Sequence, residues 1–363
     1  MNPYAYDISD ETPILFPVRV QGKWGYIDKS GRLKIQPQFH GASDFSEALA
    51  RVKVTKKNIS KYGFINASGD TVIEPKYDYA EDFSEDLALI RSGDEHSGKF
   101  GFIDRSGNTV IETKFHFAGF TKDDIKFKEG LAPVRAAGKI GYIDKSGNII
   151  IKPQFKWGRL FSEELALVVN DEFKYGYIDA SGYLTIKPTF VAATSFSEDM
   201  AAVQVEDEGF WGYINKSGHM LITPQFEIAK PFSEGLAGVT LSPKMSQPDF
   251  IIEAFRHYKI TYGNQDIPSS PIMQGLCSFI DKSGHLLFNQ VFNGTFLFSE
   301  GLAAVKVGLE FAKFGYIDKY GSYAIQPKFN NALPFSNGLA KVLVVDKWGY
   351  INQSGSYVWE PTN

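Results

Sequence analysis

The sequence predicts an all-β repeat array, and three observations carry that expectation. The stretch Lys23-Trp24-Gly25-Tyr26-Ile27-Asp28-Lys29-Ser30-Gly31 returns nine times, its glycine recurring as Gly63, Gly101, Gly141, Gly176, Gly212, Ser278, Gly315 and Gly349 at steps of 38, 38, 40, 35, 36, 66, 37 and 34 residues. Inside every return, six residues separate the glycine position from the turn glycine, as from Gly25 to Gly31 and from Gly349 to Gly355. The strand that carries the motif is apolar on both faces, so both faces must be covered. A period of this size marks a repeat architecture.

Each unit reads as strand A (Val18-Arg19-Val20 in the first), a connection, strand B (Trp24 to Ile27), a turn, strand C (Leu33 to Ile35), then Pro37 and Phe39. In strand B, Trp24 and Tyr26 point to one face and Gly25 and Ile27 to the other. The Ile27 position is isoleucine in all nine units, the Tyr26 position is aromatic in all nine, and the Ile35 position is large and apolar throughout. Stacking the small sheet of one unit face to face on the next covers both sides. The mid-strand glycine is then expected to leave room for a neighbour's aromatic ring. At the turn, Asp28 or its Asn counterparts Asn66, Asn215 and Asn352 can accept a backbone hydrogen bond two residues on, and the closing glycine supplies a left-handed conformation.

A linker such as Ala42-Ser43-Asp44-Phe45-Ser46-Glu47-Ala48-Leu49-Ala50 leads into the next strand A. The step from the proline position to the linker phenylalanine is eight residues in seven of eight linkers, with extra residues between Thr113 and Phe127. Length variation concentrates instead between strands A and B, so those connections are expected to line one edge, where insertions are tolerated and function tends to lie. The longest insertion, 242–275, contains an expected amphipathic helix over Asp249 to Tyr258 and a Gly/Pro-rich stretch from Thr261 to Met273. Residues 1–14 read as a leading or capping segment, and 15–363 as the array.

Composition agrees with this class and excludes others. Aromatic residues make up 15% of the chain and 34 residues are glycine, as short strands joined by tight turns require. The 38 basic and 42 acidic side chains leave a net charge of −4, which provides no general field for nucleic acid. One cysteine, Cys277, allows no internal disulfide, and no window is apolar enough to insert in a membrane. A soluble, cytoplasmic, monomeric protein is the expectation.

The run KWGYIDKSG, followed by IQPQF and FSEALA, resembles the bacterial WG-repeat proteins, also called KWG repeats. The resemblance spans roughly Leu15 to Pro361 and departs in unit seven, where Cys277 and Ser278 replace Trp and Gly and Gln290 replaces the proline. It implies a β-repeat scaffold with no catalytic residues attached to the repeat and does not supply a ligand.

The residues themselves point the same way. The turn acids interchange with Asn, so the position requires an acceptor and not a charge. Phe64, Phe102 and Phe279 stand in the tyrosine slot, which removes a catalytic hydroxyl. The linker glutamates (Glu47, Glu85, Glu129, Glu163, Glu198, Glu234 and Glu300) are expected to bond to backbone amides of a short helical turn. The basic residues after the turn acid (Lys29, Arg105, Lys145, Lys216, Lys282 and Lys319) are expected to form a solvated stripe opposite the acidic edge that these glutamates carry. The six histidines show no zinc-ligand spacing, and no phosphate loop or nucleophile elbow occurs.

These readings converge on nine three-stranded antiparallel units in a curved solenoid, with a closed propeller-like toroid as the alternative. The solenoid rests on a count of nine strand B hairpins against eight linkers. The expected function is a non-enzymatic scaffold for protein–protein interaction, without cofactor, metal or catalytic residue, that binds a protein partner through the variable loops and the insertion. Candidate binding residues are Phe250, Phe255 and Tyr258 in the insertion and Trp24, Trp211 and Trp348 in strand B. The alternatives are a cell-envelope or polysaccharide binder using exposed aromatics and a toxin-neutralising, immunity-type binder.

Overall fold

The structure, a computed structural model, describes residues 14–94, 98–116, 125–242, 276–308 and 311–361. Most of the leading segment and nearly all of the 242–275 insertion, including Phe250, Phe255 and Tyr258, therefore lie outside the described residues. The chain divides into two compact units, one of Met1–Ala136, Ile143–Ile149 and Thr362–Asn363, the other of Ala137–Tyr142 and Ile150–Pro361.

In both units the repeating element is a small antiparallel sheet with strands in sequential order. The second sheet is representative: Gly41–Ser46, Leu49–Lys56, Ile59–Ile65 and Thr71–Tyr77 pair each with the next. The linker expected to connect sheets is itself the first strand, so the unit has four strands and not three. It escaped the sequence reading because it is often two residues long, as in Tyr79–Ala80, Ala192–Ala193 and Asn331–Ala332, too short for an alternating pattern. The first sheet, Phe16–Val20, Lys23–Ile27 and Leu33–Phe39, is three-stranded among the described residues.

This overturns the solenoid. Short four-stranded meanders stacked face to face are β-propeller blades, the alternative considered above. The first blade shows no linker strand among the described residues, so nine hairpins with eight linkers fit an array of blades as well as a solenoid, and that count loses its force.

Stacking of neighbours, by contrast, is as expected. In the first unit one core joins Tyr26, Ile35 and Phe39 of the first blade to Ala50, Val52 and Ile65 of the second. The next joins Phe64, Ile73 and Tyr77 to Ala88, Ile90 and Ile103 of the third. Phe64 thus faces forward and Ile65 backward, both fully buried. The second unit repeats the scheme, with Tyr177 and Ile186 packed on Val203 and Ile214, and Tyr316 and Ile325 on Val342 and Ile351. Buried tyrosines also donate to a carbonyl seventeen residues on, as Tyr177 does to Thr194 and Tyr213 to Lys230, at 2.7 and 2.8 Å.

The two glycines of the motif answer different demands. A Cβ on Gly63 would lie 2.4 Å from the Ile73 carbonyl oxygen and 2.6 Å from the Pro75 nitrogen, on the fourth strand of its own blade. The register shifts between Tyr62 and Phe64, so this is a bulge, and the proline opposite has no N–H to leave unpaired. The glycine therefore admits its own outer strand and not a neighbour's ring. Gly69, at φ +88°, closes the turn in the left-handed region and packs on Ile35 of the preceding blade, where a Cβ would lie 3.2 Å from Cγ2.

Gly63→Ala should accordingly destabilise the protein by about 2–3 kcal/mol through displacement of the outer strand. Thermal or urea unfolding checks this, and unchanged stability would refute the bulge contact.

Candidate functional site: the two edges of the blades

Strand parity decides which residues share an edge. In a four-stranded meander the first-to-second and third-to-fourth turns lie at one edge, here the turn edge. The second-to-third connection and the passage to the next blade lie at the other, the loop edge. The linker glutamates and the Asx-Lys-Ser-Gly tips therefore share the turn edge.

The linker turns are left-handed hairpin turns and not helical ones: Glu47 and Ala48 have φ of 51° and 67°, and Glu163 and Glu164 have 56° and 71°. The glutamates do bind backbone amides, but those of the following blade. Glu47 accepts from the N–H groups of Glu85 and Asp86 at 2.6 and 2.9 Å, and Glu163 in the same way from Glu198 and Asp199. Glu85, Glu198, Glu234 and Glu300 accept from Gly130, Gly235, Gly301 and Gly338. The adjoining serines tie the same blades, Ser46, Ser197 and Ser299 donating to the carbonyls of Phe83, Phe232 and Phe335 at 2.7 Å.

Five of these glutamates also meet a tip cation of the next blade: Arg105 with Glu47, Lys145 with Glu85, Lys216 with Glu163, Lys282 with Glu198 and Lys319 with Glu234. The basic stripe expected opposite the acidic edge lies on that edge, and these five of its six cations pair with it. Burial alone would raise the Glu234 carboxyl, but Lys319 and the Gly301 N–H hold it below the usual range.

The tip acids form the expected Asx turns. Asp28 Oδ1 accepts from the Ser30 hydroxyl at 2.6 Å and from the N–H groups of Ser30 and Arg32 at 2.8 and 3.0 Å. The hydroxyl above all, then these amides, bring its pKa down to about 2. The Asn148 amide lowers Asp144, and the Ser181 hydroxyl lowers Asp179. Asn66 makes the same backbone contacts without a charge.

The loop edge carries a signal missed in the sequence. The residue before the Trp24 position is lysine in seven of nine repeats, as Lys23, Lys61, Lys99, Lys139, Lys174, Lys313 and Lys347, and opens the third strand at this edge. Its constant phase could have revealed it. Lys61 pairs with Asp78 and Lys139 with Asp171, each on the following blade. The residue after the aromatic that ends the outer strand secures the loop of the following blade: Asp78 accepts from Gly93, Asn293 from Gly308 and Asn330 from Val345, all at 2.9 Å.

The candidate aromatics lie beside these lysines. Trp24 is half-buried against the first–second core and Trp211 against the sixth–seventh. Trp348 is half-buried with the Lys341 ammonium 5.4 Å from its ring centroid. They belong to three different blades, Trp24 in the first unit and Trp211 and Trp348 in the second.

The insertion leaves the seventh blade after Ser242 and returns at Leu276, at the loop edge of the second unit. The buried polar residues of the described structure, Thr240, Ser242, Ser278 and Thr295, all lie beside its root or on the blade packed against it. Ser278 stands where the bulge glycine would be and donates to the Gln290 carbonyl at 3.0 Å. The outer strand there is reduced to two isolated bridges, Ile280 to Leu286 and Cys277 to Phe292. The departures at Ser278 and Gln290 thus fall on one contact, which glycine and proline make in most other blades and Gly101 makes with Thr113 in the third. The Cys277 thiol lies 3.5 Å from the Thr240 hydroxyl, and burial pushes its pKa up, away from thiolate chemistry. Burial lowers the Lys230 amine, which donates to the Thr295 carbonyl.

Among the described residues no group of three His, Cys, Asp or Glu side chains is placed to hold a metal, and no helix is long and apolar enough to cross a membrane.

The profile of the WG containing repeat matches residues 24–57, 62–95, 100–139, 140–172, 175–208, 211–241, 278–308 and 314–348. The chain belongs to the WG-repeat family. Each match begins in the third strand of one blade and runs into the next, so the sequence repeat of this WG-repeat protein is out of phase with its blades. No curated protein matches significantly. Among solved structures, a crystal structure of a eukaryotic initiation factor matches with TM-score 0.62 at 9% identity over 95% of both chains, a likeness of fold alone. BamB from Moraxella catarrhalis matches with TM-score 0.41 at 10% identity over 94% of this chain and 98% of that one. Dihydro-heme d1 dehydrogenase NirN in complex with DHE matches with TM-score 0.45 at 11% identity, over 94% and 76%.

Ser278→Gly combined with Gln290→Pro should restore a regular outer strand and stabilise the protein by about 1 kcal/mol in chemical unfolding. An unchanged or lower stability would separate the two departures.

Because the folded pKa values of Asp28, Asp144, Asp179 and Asp281 are lowered below the unfolded value of about 3.9, their stabilisation is complete above pH of about 5. It is lost as pH falls towards about 2, the value of Asp28. The melting temperature should hold from neutral pH to about 5 and then drop, and Asp28→Asn should blunt the drop. Melting curves across this range test it.

Proposed function

We propose that this WG-repeat protein is a non-enzymatic scaffold that binds a protein partner through its loop edges, with the 242–275 insertion as part of the binding surface. The observation that supports it is the exposure of large apolar groups on the loop edge. Ile59 is 62% exposed beside its connection in the first unit. In the second unit Phe173, Phe311 and Val345, on second-to-third connections, are 64%, 87% and 78% exposed. Single exposed apolar residues are ordinary, and the turn edge has its own in Tyr183 and Tyr320; on the loop edge their recurrence in both units fits a contact surface. The turn edge is occupied by its own ion pairs and inter-blade bonds.

A second reading, a polysaccharide binder, draws support from the half-buried Trp24, Trp211 and Trp348 at the loop edge. Glycan titration that leaves tryptophan emission unchanged would remove it.

Deletion of Pro243 to Met273, with Phe311→Asp as a second variant, should leave the melting temperature within a few degrees of the parent. Each should weaken recovery of the partner in affinity capture with quantitative mass spectrometry. Undiminished recovery in both would overturn the loop edge as the surface.

A further inference from the structure

We propose that the loop edge of the first unit, around the connections of the first and second blades, binds an acidic segment of a protein partner. The inference rests on the scaffold reading above and names the chemistry of the partner.

The geometry at Lys23 and His40 carries it. The Lys23 ammonium lies 2.6 Å from Nε2 of His40, while Nδ1 of the same ring accepts the Thr55 N–H at 3.0 Å. With Nδ1 committed as an acceptor, the ring proton resides on Nε2. An ammonium donor therefore faces an imidazole donor, and the pair lacks an acceptor. A carboxylate oxygen seated beside both nitrogens, which stand too close to admit one between them, would accept from each, and its charge assists both bonds.

The surroundings extend the demand. The backbone N–H of His40 bonds to the Lys53 carbonyl, which ties the pair to the second blade's hairpin, where Lys56 and Lys57 follow, both exposed. Among the described residues no carboxylate lies within 4.0 Å of the side-chain nitrogens of Lys23, Lys53, Lys56 or Lys57. On the third strand of the same second-blade hairpin Lys61 is matched by Asp78, so the uncompensated charge lies at Lys23, Lys56 and Lys57. The contrast with the turn edge is direct: there five of the six tip cations, Arg105, Lys145, Lys216, Lys282 and Lys319, meet a glutamate. Like-signed side chains in one patch raise the local concentration and association rate of an oppositely charged partner and weaken with salt.

An acidic peptide fits better than nucleic acid. The chain carries −4 overall, and the patch is a short group bounded by Asp78 and Asp94, which would face the phosphates of any extended polyanion. Ile59, exposed beside the lysines, offers an apolar contact suited to a side chain of a peptide.

The test uses the full chain and fluorescence anisotropy with a short fluorescein-labelled Asp/Glu peptide, and a duplex DNA fragment of equal charge as comparison. The expected result is salt-sensitive peptide binding, weakened about tenfold by Lys56→Glu with Lys57→Glu and about threefold or more by Lys23→Gln. Lys319→Gln, on the turn edge, should leave it unchanged. Absence of peptide binding, equal affinity in the Lys23 and Lys56/Lys57 variants, or tighter binding of DNA than of peptide would each overturn the proposal. Melting curves of the variants confirm that they fold. Should the capture experiment recover a partner equally well with the Lys56/Lys57 variant while the peptide fails to bind, the acidic-partner inference falls and the scaffold reading stands. Peptide binding without any loop-dependent capture has the opposite meaning for the scaffold reading and supports the inference.

Discussion

Burial of the third strand on both faces is the constraint on which the rest of this protein depends. Phe64 looks forward and Ile65 backward, and neither face is covered by anything within its own blade. A large apolar side chain contributes about 1.5–3 kcal/mol when fully buried, so an isolated blade would forfeit most of its core. Neighbours are therefore an obligatory part of each blade's folding, as expected for arrays whose stability is summed over interfaces. The offset between sequence repeat and blade reinforces this, because a match such as 24–57 supplies half of two blades. No repeat can be lost without unpairing strands in both.

The linker strand converts this packing into a division of labour between edges. Once the linker pairs as the first strand, glutamate, serine and tip lysine converge on one edge and fasten consecutive blades through amides, carbonyls and ion pairs. Exposed ion pairs are worth little singly, but here each carboxylate also accepts one or two backbone N–H groups, which fixes its geometry. The other edge is left with variable connections, the KWG lysines and the insertion. Binding residues tend to lie on loops held by a rigid scaffold, and this edge is where the chain varies while the other is committed to assembly.

The seventh blade shows how closely the motif residues depend on one another. Glycine and the outer strand face each other across a bulge, so a side chain at the glycine position displaces that strand. Ser278 fills the space and takes hold of the Gln290 carbonyl, the outer strand loosens, and buried hydroxyls gather beside it. The same blade carries the long insertion. Its departure from the motif is a coherent local structure at the root of the most variable loop.

Much of this was legible in the letters. Alternation around Tyr26 and Ile27 reports two covered faces, the Asx-to-Gly spacing reports the hairpin, and the free exchange of Asp with Asn reports an acceptor in place of a catalytic acid. These properties are local, set by strand periodicity and turn stereochemistry, and a single chain records them nine times over. What the letters could not report is pairing between segments that carry no pattern of their own. A first strand of two residues has no periodicity, so the linker passed for a connection, the unit seemed three-stranded, and the parity that places Glu47 beside Arg105 was inverted. The bulge glycine was misassigned for a similar reason, since the atom it avoids belongs to a backbone ten residues away whose register no pattern specifies. Sequence by itself determined the repeat, its strands, its turns and the stacking of neighbours. Only the tertiary structure decided the number of strands per blade, the propeller type of the sheet and the edge on which each charge stands, because those depend on hydrogen bonds between strands.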